Sequence, residues 1–173
     1  MGLNMDIKEA IRSRRSIRKY KDEQIPHDKL VTLLEMARLA PSAGNRQPWE
    51  FIVVRDETVI RRIAEGCRSG GFLSECPVII VGCGDFEARP KWFALDTFIA
   101  MEHIALTAVG EGLGTCWIGY FDEDEIRRLL EIPENLRVVA LMGVGFADDS
   151  PAPKERKPLE EFVSYERWGE REP

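Results

Sequence analysis

The amino-acid sequence predicts an α/β or α+β sandwich folded as one domain, and three observations carry that reading. Four short apolar runs alternate with segments whose apolar residues recur at helical spacing. Pro, Gly and Asn punctuate the junctions between them. No internal repeat or low-complexity linker divides the 173 residues, a length that suits one substantial core and is short for two.

The elements follow in order. A first helix is predicted from about Asp6 to Ser13. A second, over 28–40, rests on Leu30, Leu33, Leu34, Ala37 and Ala40, and Pro41 stops it. The β-branched run Phe51 to Val54 marks a strand over 50–55, followed by a helix over 57–66 and a strand over 77–83. A long helix, Pro90 to Val109, is apolar on most of its circumference, more than one core-facing stripe requires. A subunit interface and a central place in a monomer core both explain that excess. Gly110-Glu-Gly-Leu-Gly ends the helix and leads into a strand at Thr115 to Gly119. Asp122, three residues before Glu125, reads as a capping box for a helix reaching Ile132, and Arg137 to Phe146 is the last strong strand. Beyond Asp148 the chain is polar and Pro-rich, an arm over 148–173 with Leu159, Phe162, Tyr165 and Trp168 as its apolar anchors.

Composition narrows the function. The most apolar window, Trp92 to Leu106, is interrupted by Asp96, Glu102 and His103, which favours a buried helix over a membrane span. Cys67, Cys76, Cys83 and Cys116 show neither a CxxC pair nor zinc-ligand spacing and read as reduced core thiols, in keeping with a cytoplasmic protein. His27 and His103 both read as structural, so no metal site is expected. The net charge of −6 is unevenly placed: residues 1–21 carry seven basic against two acidic side chains, leaving −11 for the remainder. A basic island on an acidic protein argues against nucleic-acid binding and for a small anionic ligand held locally. A second island lies at Lys154, Arg156 and Lys157. An ordinary solvated face is the alternative reading of both.

Glycine motifs point away from the common nucleotide folds. Gly82-Cys-Gly84 lacks a third glycine, Gly110-Glu-Gly112-Leu-Gly114 follows a helix, and Gly143-Val-Gly145 opens no clear helix. No Walker A sequence, no Gly-x-Ser-x-Gly elbow and no Ser-His-acid trio stands in the chain. Arg14-Arg15-Ser16-Ile17-Arg18 remains, offering bidentate guanidinium groups and a hydroxyl suited to clamping a phosphate. If the helix persists through it, Arg14 and Arg18 share a face and Arg15 points elsewhere. The stretch Ala40 to Phe51 places small, polar and aromatic residues at a helix-to-strand junction, where backbone N–H groups can face a ligand; an ordinary turn explains the same residues. Arg46, Arg55 and Arg89 read as surface charges.

Four motifs in chain order, Arg-Arg-Ser-Ile-Arg-Lys-Tyr at 14–20, Ala-Pro-Ser-Ala-Gly-Asn-Arg-Gln-Pro-Trp at 40–49, Gly-Leu-Gly-Thr-Cys-Trp-Ile-Gly at 112–119 and Arg-Lys-Pro-Leu-Glu-Glu at 156–161, resemble the FMN-dependent nitroreductase family over nearly the whole chain. The resemblance implies an α+β nitroreductase-like sandwich, a central, mainly antiparallel sheet flanked by helices, with the long helix at a dimer interface. It implies a homodimer with FMN at the subunit interface, reducing nitroaromatic, quinone or related small-molecule acceptors with NADH or NADPH by a ping-pong hydride transfer, and no nucleic-acid or membrane partner.

By the same resemblance Arg14, Arg15, Ser16 and Arg18 hold the FMN phosphate, ribityl chain and pyrimidine edge, and Arg156 with Lys154 or Lys157 completes the phosphate site. Pro41, Ser42, Ala43 and Asn45 belong to a loop laid beside the partner's flavin, supported by Gln47 and Trp49, while Trp117, Ile118 and Gly119 pass its other side. No side chain is expected to be catalytic, since the flavin carries the chemistry. Arg18 is the candidate for favouring the anionic reduced flavin by Coulomb attraction. Residues 66–76 hold neither the Asn nor the Lys that many relatives direct at the flavin, leaving either Arg68 or Ser69 as a substitute or no such contact. The short chain implies an open site that accepts varied substrates. A flavin-binding storage or sensor protein with little turnover is the alternative function, and a flavin-free interaction domain a third.

Overall fold

Val78 to Cys83 is apolar at nearly every position, so as a strand it requires cover on both faces, and the fold is organised around it. The computed structural model describes residues 5–171, which leaves 172–173 of the predicted arm outside the described residues. Its elements are α1 (Ile7–Ser13), α2 (His27–Arg38), β1 (Trp49–Val54), α3 (Glu57–Glu65), β2 (Val78–Asp85), α4 (Phe93–Gly110), β3 (Gly114–Ile118), α5 (Glu123–Leu129), β4 (Leu136–Gly145) and α6 (Leu159–Phe162). Short 3-10 turns occupy Ala43–Asn45 and Gly71–Glu75. The four strands form one sheet in the order β1-β2-β4-β3 with every pair antiparallel, so β2 and β4 are interior and β3 is an edge. This is the α+β, helix-flanked sheet that the sequence leads one to expect.

Strand alternation splits the core into two layers. Ile79, Val81 and Cys83 face α3 and α5 on one side, and Val78 and Ile80 face α2 and α4 on the other. Close approach of α4 to the sheet depends on glycine: a Cβ at Gly82 would stand 2.2 Å from Met101 Sδ. All four cysteines are buried and unbridged, as expected.

Differences from the sequence reading lie at the element ends. Asp122 caps α5 by accepting from the Glu125 N–H at 2.9 Å, but its own N–H donates to Gly66 O, so only half of the capping box forms. The helix stops at Leu129, short of Ile132, because Glu131 turns left-handed (φ 55°) and the Ile132 N–H reaches back to Arg127 O at 3.0 Å. That is a Schellman closure made without glycine. The Gly71–Glu75 turn, absent from the sequence reading, buries Leu73 completely.

Helix α4 resolves its apolar excess into two faces. Ala100, Met101, Ile104, Ala105 and Ala108 are buried against the sheet and α2, whereas Leu95, Phe98 and Ile99 remain 54%, 42% and 40% exposed. By length and composition it is the one helix among the described residues that could cross a membrane, yet it packs its inner face into this core. In the arm, Leu159, Phe162, Tyr165 and Trp168 are all exposed, Trp168 at 98%.

Candidate cofactor-binding site

The Arg14–Arg18 segment is extended, so the helical arrangement considered for Arg14 and Arg18 is corrected. Helix α1 ends at Ser13, and Arg14 takes φ −51°, ψ 128°. The segment then runs parallel to β3, with Ser16 bridged to Thr115 and the Ile17 N–H donating to Thr115 O at 2.9 Å. It covers part of the sheet's edge. Ile17 turns inward and is buried, seated where Gly114 has no side chain; a Cβ there would lie 2.5 Å from Ile17 Cγ1. The Tyr20 hydroxyl donates to Ile17 O at 2.7 Å, and burial raises its pKa far above the usual phenol value, keeping it a neutral donor.

Alternation along this extended segment turns Ser16 and Arg18 away from the core that takes Ile17. Arg14, Arg15, Ser16 and Arg18 line one cleft of about 400 Å³ together with Arg12, and Lys154 and Arg156 enter it from the arm. The two basic islands of the sequence therefore meet in space. Among the described residues the ion pairs are Lys29–Glu111, Arg38–Glu35 and Arg61–Glu57, so no carboxylate pairs with the cleft's arginines. Arg15 is steadied by donating to the carbonyls of Arg12 (2.6 Å) and Arg14 (2.9 Å), and Arg156 to those of Lys154 and Glu155. Lys157 is exposed and does not line the cleft. Such a cluster of uncompensated cations with a hydroxyl among them is suited to an oxyanion, which guanidinium groups bind through paired N–H donors.

Beside the arginine segment runs β3, bridged to it at Thr115; Trp117, Ile118 and Gly119 do not line the cleft. Thr115 is buried with its hydroxyl oxygen unpartnered. Behind it, burial pushes the Cys116 thiol pKa up, opposed by the positive charges of Arg18 and Arg14 and by a hydrogen bond with Ser16. Trp117 stacks on Phe98 of α4, centroids 5.3 Å apart at 27°. Ile118 is a core side chain, so only its backbone is free to face a ligand. At Gly119 an added Cβ would meet nothing within 4 Å. The Arg18 guanidinium lies over the Phe72 ring at 5.9 Å, a partner missed because the 71–75 turn was not foreseen. Arg68 instead stacks on Tyr120 at 5.3 Å and donates to its hydroxyl at 3.3 Å, while Ser69 is exposed.

The loop after α2 stands apart. Pro41, Ser42, Ala43 and Asn45 do not line the arginine cleft. Gly44, Asn45 and Gln47 all have positive φ (63°, 53° and 49°). The Asn45 N–H donates to Ser42 O and the Gln47 N–H to Ser42 Oγ, both at 2.9 Å. Ala43 is gripped from two sides: its N–H donates to Asp96 Oδ2 at 3.1 Å, and its carbonyl accepts from Arg89 Nη2 at 3.2 Å. Asp96 and Arg89 were read from the sequence as a break in an apolar window and a surface charge. The available signal was an acid in the first turn of an otherwise apolar helix.

Comparison with known proteins decides the family. The sequence pattern of the nitroreductase family matches residues 11–75 and 67–146. The chain is a member of the nitroreductase family. A nitroreductase family protein from Clostridium novyi NT superposes with a TM-score of 0.80 at 37% identity, covering 96% of this chain and 97% of that one. The FMN-dependent nitroreductase from Clostridium difficile R20291 superposes with a TM-score of 0.86 at 31% identity, over 92% and 98% of the two chains. An NADH dehydrogenase of Thermus thermophilus is 29% identical over 197 aligned positions, spanning 93% of this chain and 96% of its own. This nitroreductase family member is thus an oxidoreductase by family, with the fold of its solved relatives along almost its whole length.

Proposed function

We propose that the protein is a homodimeric FMN-dependent oxidoreductase that uses NADH or NADPH to reduce nitroaromatic, quinone or related acceptors. The observation that carries this reading is the cleft in which Arg14, Arg15, Arg18, Lys154 and Arg156 gather with no carboxylate paired to them among the described residues, on a segment bridged at Ser16 to Thr115 of the edge strand β3. From the Thr115 bridge to Gly119 that edge offers about 13 Å at roughly 3.3 Å per residue, room for a phosphate, a five-carbon polyol and the first ring of a flavin. The donor set fits the group. Arg14, Arg156 and Lys154 supply charge for a phosphate, Ser16 supplies a hydroxyl, and the buried Thr115 oxygen lacks a partner.

In this reading Phe72 supports Arg18, which then sets a fixed positive charge at the pyrimidine edge; water exclusion strengthens its pull on negative charge developing there. The Phe98–Trp117 stack walls the ring's side, and the backbone of Trp117 to Gly119 flanks it without side-chain obstruction at Gly119. FMN, when bound, supplies the hydride chemistry. A single shared pocket for nucleotide and acceptor gives ping-pong kinetics.

Dimerisation is supported by the uncovered apolar face of α4 at Leu95, Phe98 and Ile99, by the exposed apolar residues of the arm, and by the 41–45 loop lying apart from its own chain's cleft. Four unbridged, buried thiols suit a reducing cytoplasm. The test is a visible spectrum of the protein freed of excess FMN, followed by anaerobic NADH and then NADPH. Retained flavin absorbance that bleaches is the expected result. Retained flavin that neither nucleotide bleaches favours storage or sensing, and no retained flavin refutes the site.

A further inference from the structure

We infer that Asp96 and Arg89 are positioning residues that hold the Pro41–Gln47 loop in a shape its own sequence does not favour. The inference deepens, and rests on, the reading in which this loop flanks the flavin of the partner subunit. Its carrying observation is the two-sided grip on one peptide unit pair: Ala43 N–H to Asp96 Oδ2 at 3.1 Å and Arg89 Nη2 to Ala43 O at 3.2 Å. Asp96 is 3% exposed and sits in the first turn of α4, where the helix N-terminus favours an anion. The bond it accepts is charge-assisted and shielded from solvent, hence strong.

The loop needs such a grip. Gln47 is left-handed, a conformation that Gly44 and Asn45 adopt readily and a glutamine does not, and the segment's internal hydrogen bonds run only to Ser42 and Asn45. Gly44 is left-handed too, and a Cβ there would lie 3.1 Å from Arg89 Nη2, so the guanidinium packs directly on the turn. Because Asp96 lies on α4 two residues before Phe98, the same helix that carries the Phe98–Trp117 wall also sets the loop. Flavin wall and flavin loop are therefore referenced to one rigid element, and the grip pre-organises the loop for a ligand held across the subunit boundary.

The test compares Asp96→Ala, Asp96→Asn and Arg89→Ala with the parent protein, each at a temperature well below its own unfolding. FMN affinity and the position of the bound flavin's visible bands are read by titration, and turnover with NADH and a quinone by steady-state kinetics. Asp96→Ala is expected to weaken FMN by about tenfold or more and to move the bands, since it frees a strained loop beside the ring. Asp96→Asn keeps an acceptor oxygen but loses the charge that strengthens the bond, and is expected to weaken FMN less than Asp96→Ala does. Arg89→Ala should follow Asp96→Ala. A folded Asp96→Ala protein with unchanged affinity and bands overturns the inference, and if that variant does not fold, Arg89→Ala is judged by the same criterion. A parent protein that binds no FMN overturns the flavin reading itself, a separate result visible before any variant is made.

Discussion

Gly114 opens β3 and Gly119 follows it, and replacing each by alanine separates the fold's demands from the ligand's. At Gly114 the new methyl would stand 2.5 Å from Ile17 Cγ1 and 2.9 Å from its Cβ, about an ångström inside ordinary contact. Ile17 is buried and cannot swing into solvent, so the Arg14–Arg18 segment must move off the strand. Overpacking of this kind costs about 1–3 kcal/mol. For a chain of this size each kcal/mol lowers the melting temperature by about 2–4 °C, giving a drop of about 2–12 °C. FMN affinity should fall with it, because the displaced segment carries Arg14, Ser16 and Arg18. At Gly119 the methyl meets nothing within 4 Å and the backbone is not left-handed, so the flavin-free protein should melt within about 1 °C of the parent. If the ring passes that backbone, Gly119→Ala nonetheless weakens FMN. Differential scanning calorimetry of the flavin-free proteins and fluorescence titration with FMN measure both. An unchanged melting temperature for Gly114→Ala would refute the packing of Ile17 on β3, and unchanged FMN affinity for Gly119→Ala would refute the path assigned to the ring.

The buried thiols set a pH dependence. Burial pushes Cys67 up to about 11 and Cys76 and Cys83 up to about 12, so in the folded protein they stay protonated where the unfolded chain has begun to ionise. Between the ordinary thiol value near 9 and these raised values the folded state binds more protons, and stability falls as pH rises, by up to about 1.4 kcal/mol per pH unit for each thiol. Denaturant melts at pH 8, 9 and 10 should show a declining midpoint, and a thiol-reactive dye at pH 8 should label none of the four before unfolding; rapid labelling of the native protein contradicts the burial. Phe98→Glu places a charge on the uncovered face of α4 beside Trp117. Sedimentation velocity should show the dimer dissociating, with FMN retention lost, whereas an unperturbed dimer assigns the interface elsewhere.

Sequence legibility followed physical locality. Strands with continuous apolar runs, such as Val78 to Cys83, and helices stopped by Pro41 or by the Gly110–Gly114 cluster stand almost where they were expected, because their signals are local and strong. The α5 terminus was misjudged because a left-handed glutamate closes it, a conformation that sequence assigns to Gly or Asn. The Gly71–Glu75 turn escaped because Gly70, Gly71 and Ser74 mask one buried leucine. At the site, the meeting of Arg14–Arg18 with Lys154 and Arg156 was read from motif resemblance, and the extended course of the first segment was not, since its parallel bridge to Thr115 depends on residues about a hundred positions away. Asp96 and Arg89 were invisible as a pair for the same reason: each meets Ala43 only in three dimensions.

The single bridge between Ser16 and Thr115 has a consequence for handling the protein. An uncovered edge strand is a template for pairing with other chains, and proteins guard such edges with charge or with an overlying segment. Here the guard on β3 is the cationic segment itself, three of whose residues are arginines. Any change that loosens it uncovers the flank of a sheet whose neighbouring strand, β4, is almost wholly apolar. Preparations without an anionic ligand, or with substitutions at Arg14, Arg15 or Arg18, are therefore those expected to precipitate first. A poor yield of such variants points to the bared edge, and added phosphate is the first remedy to try.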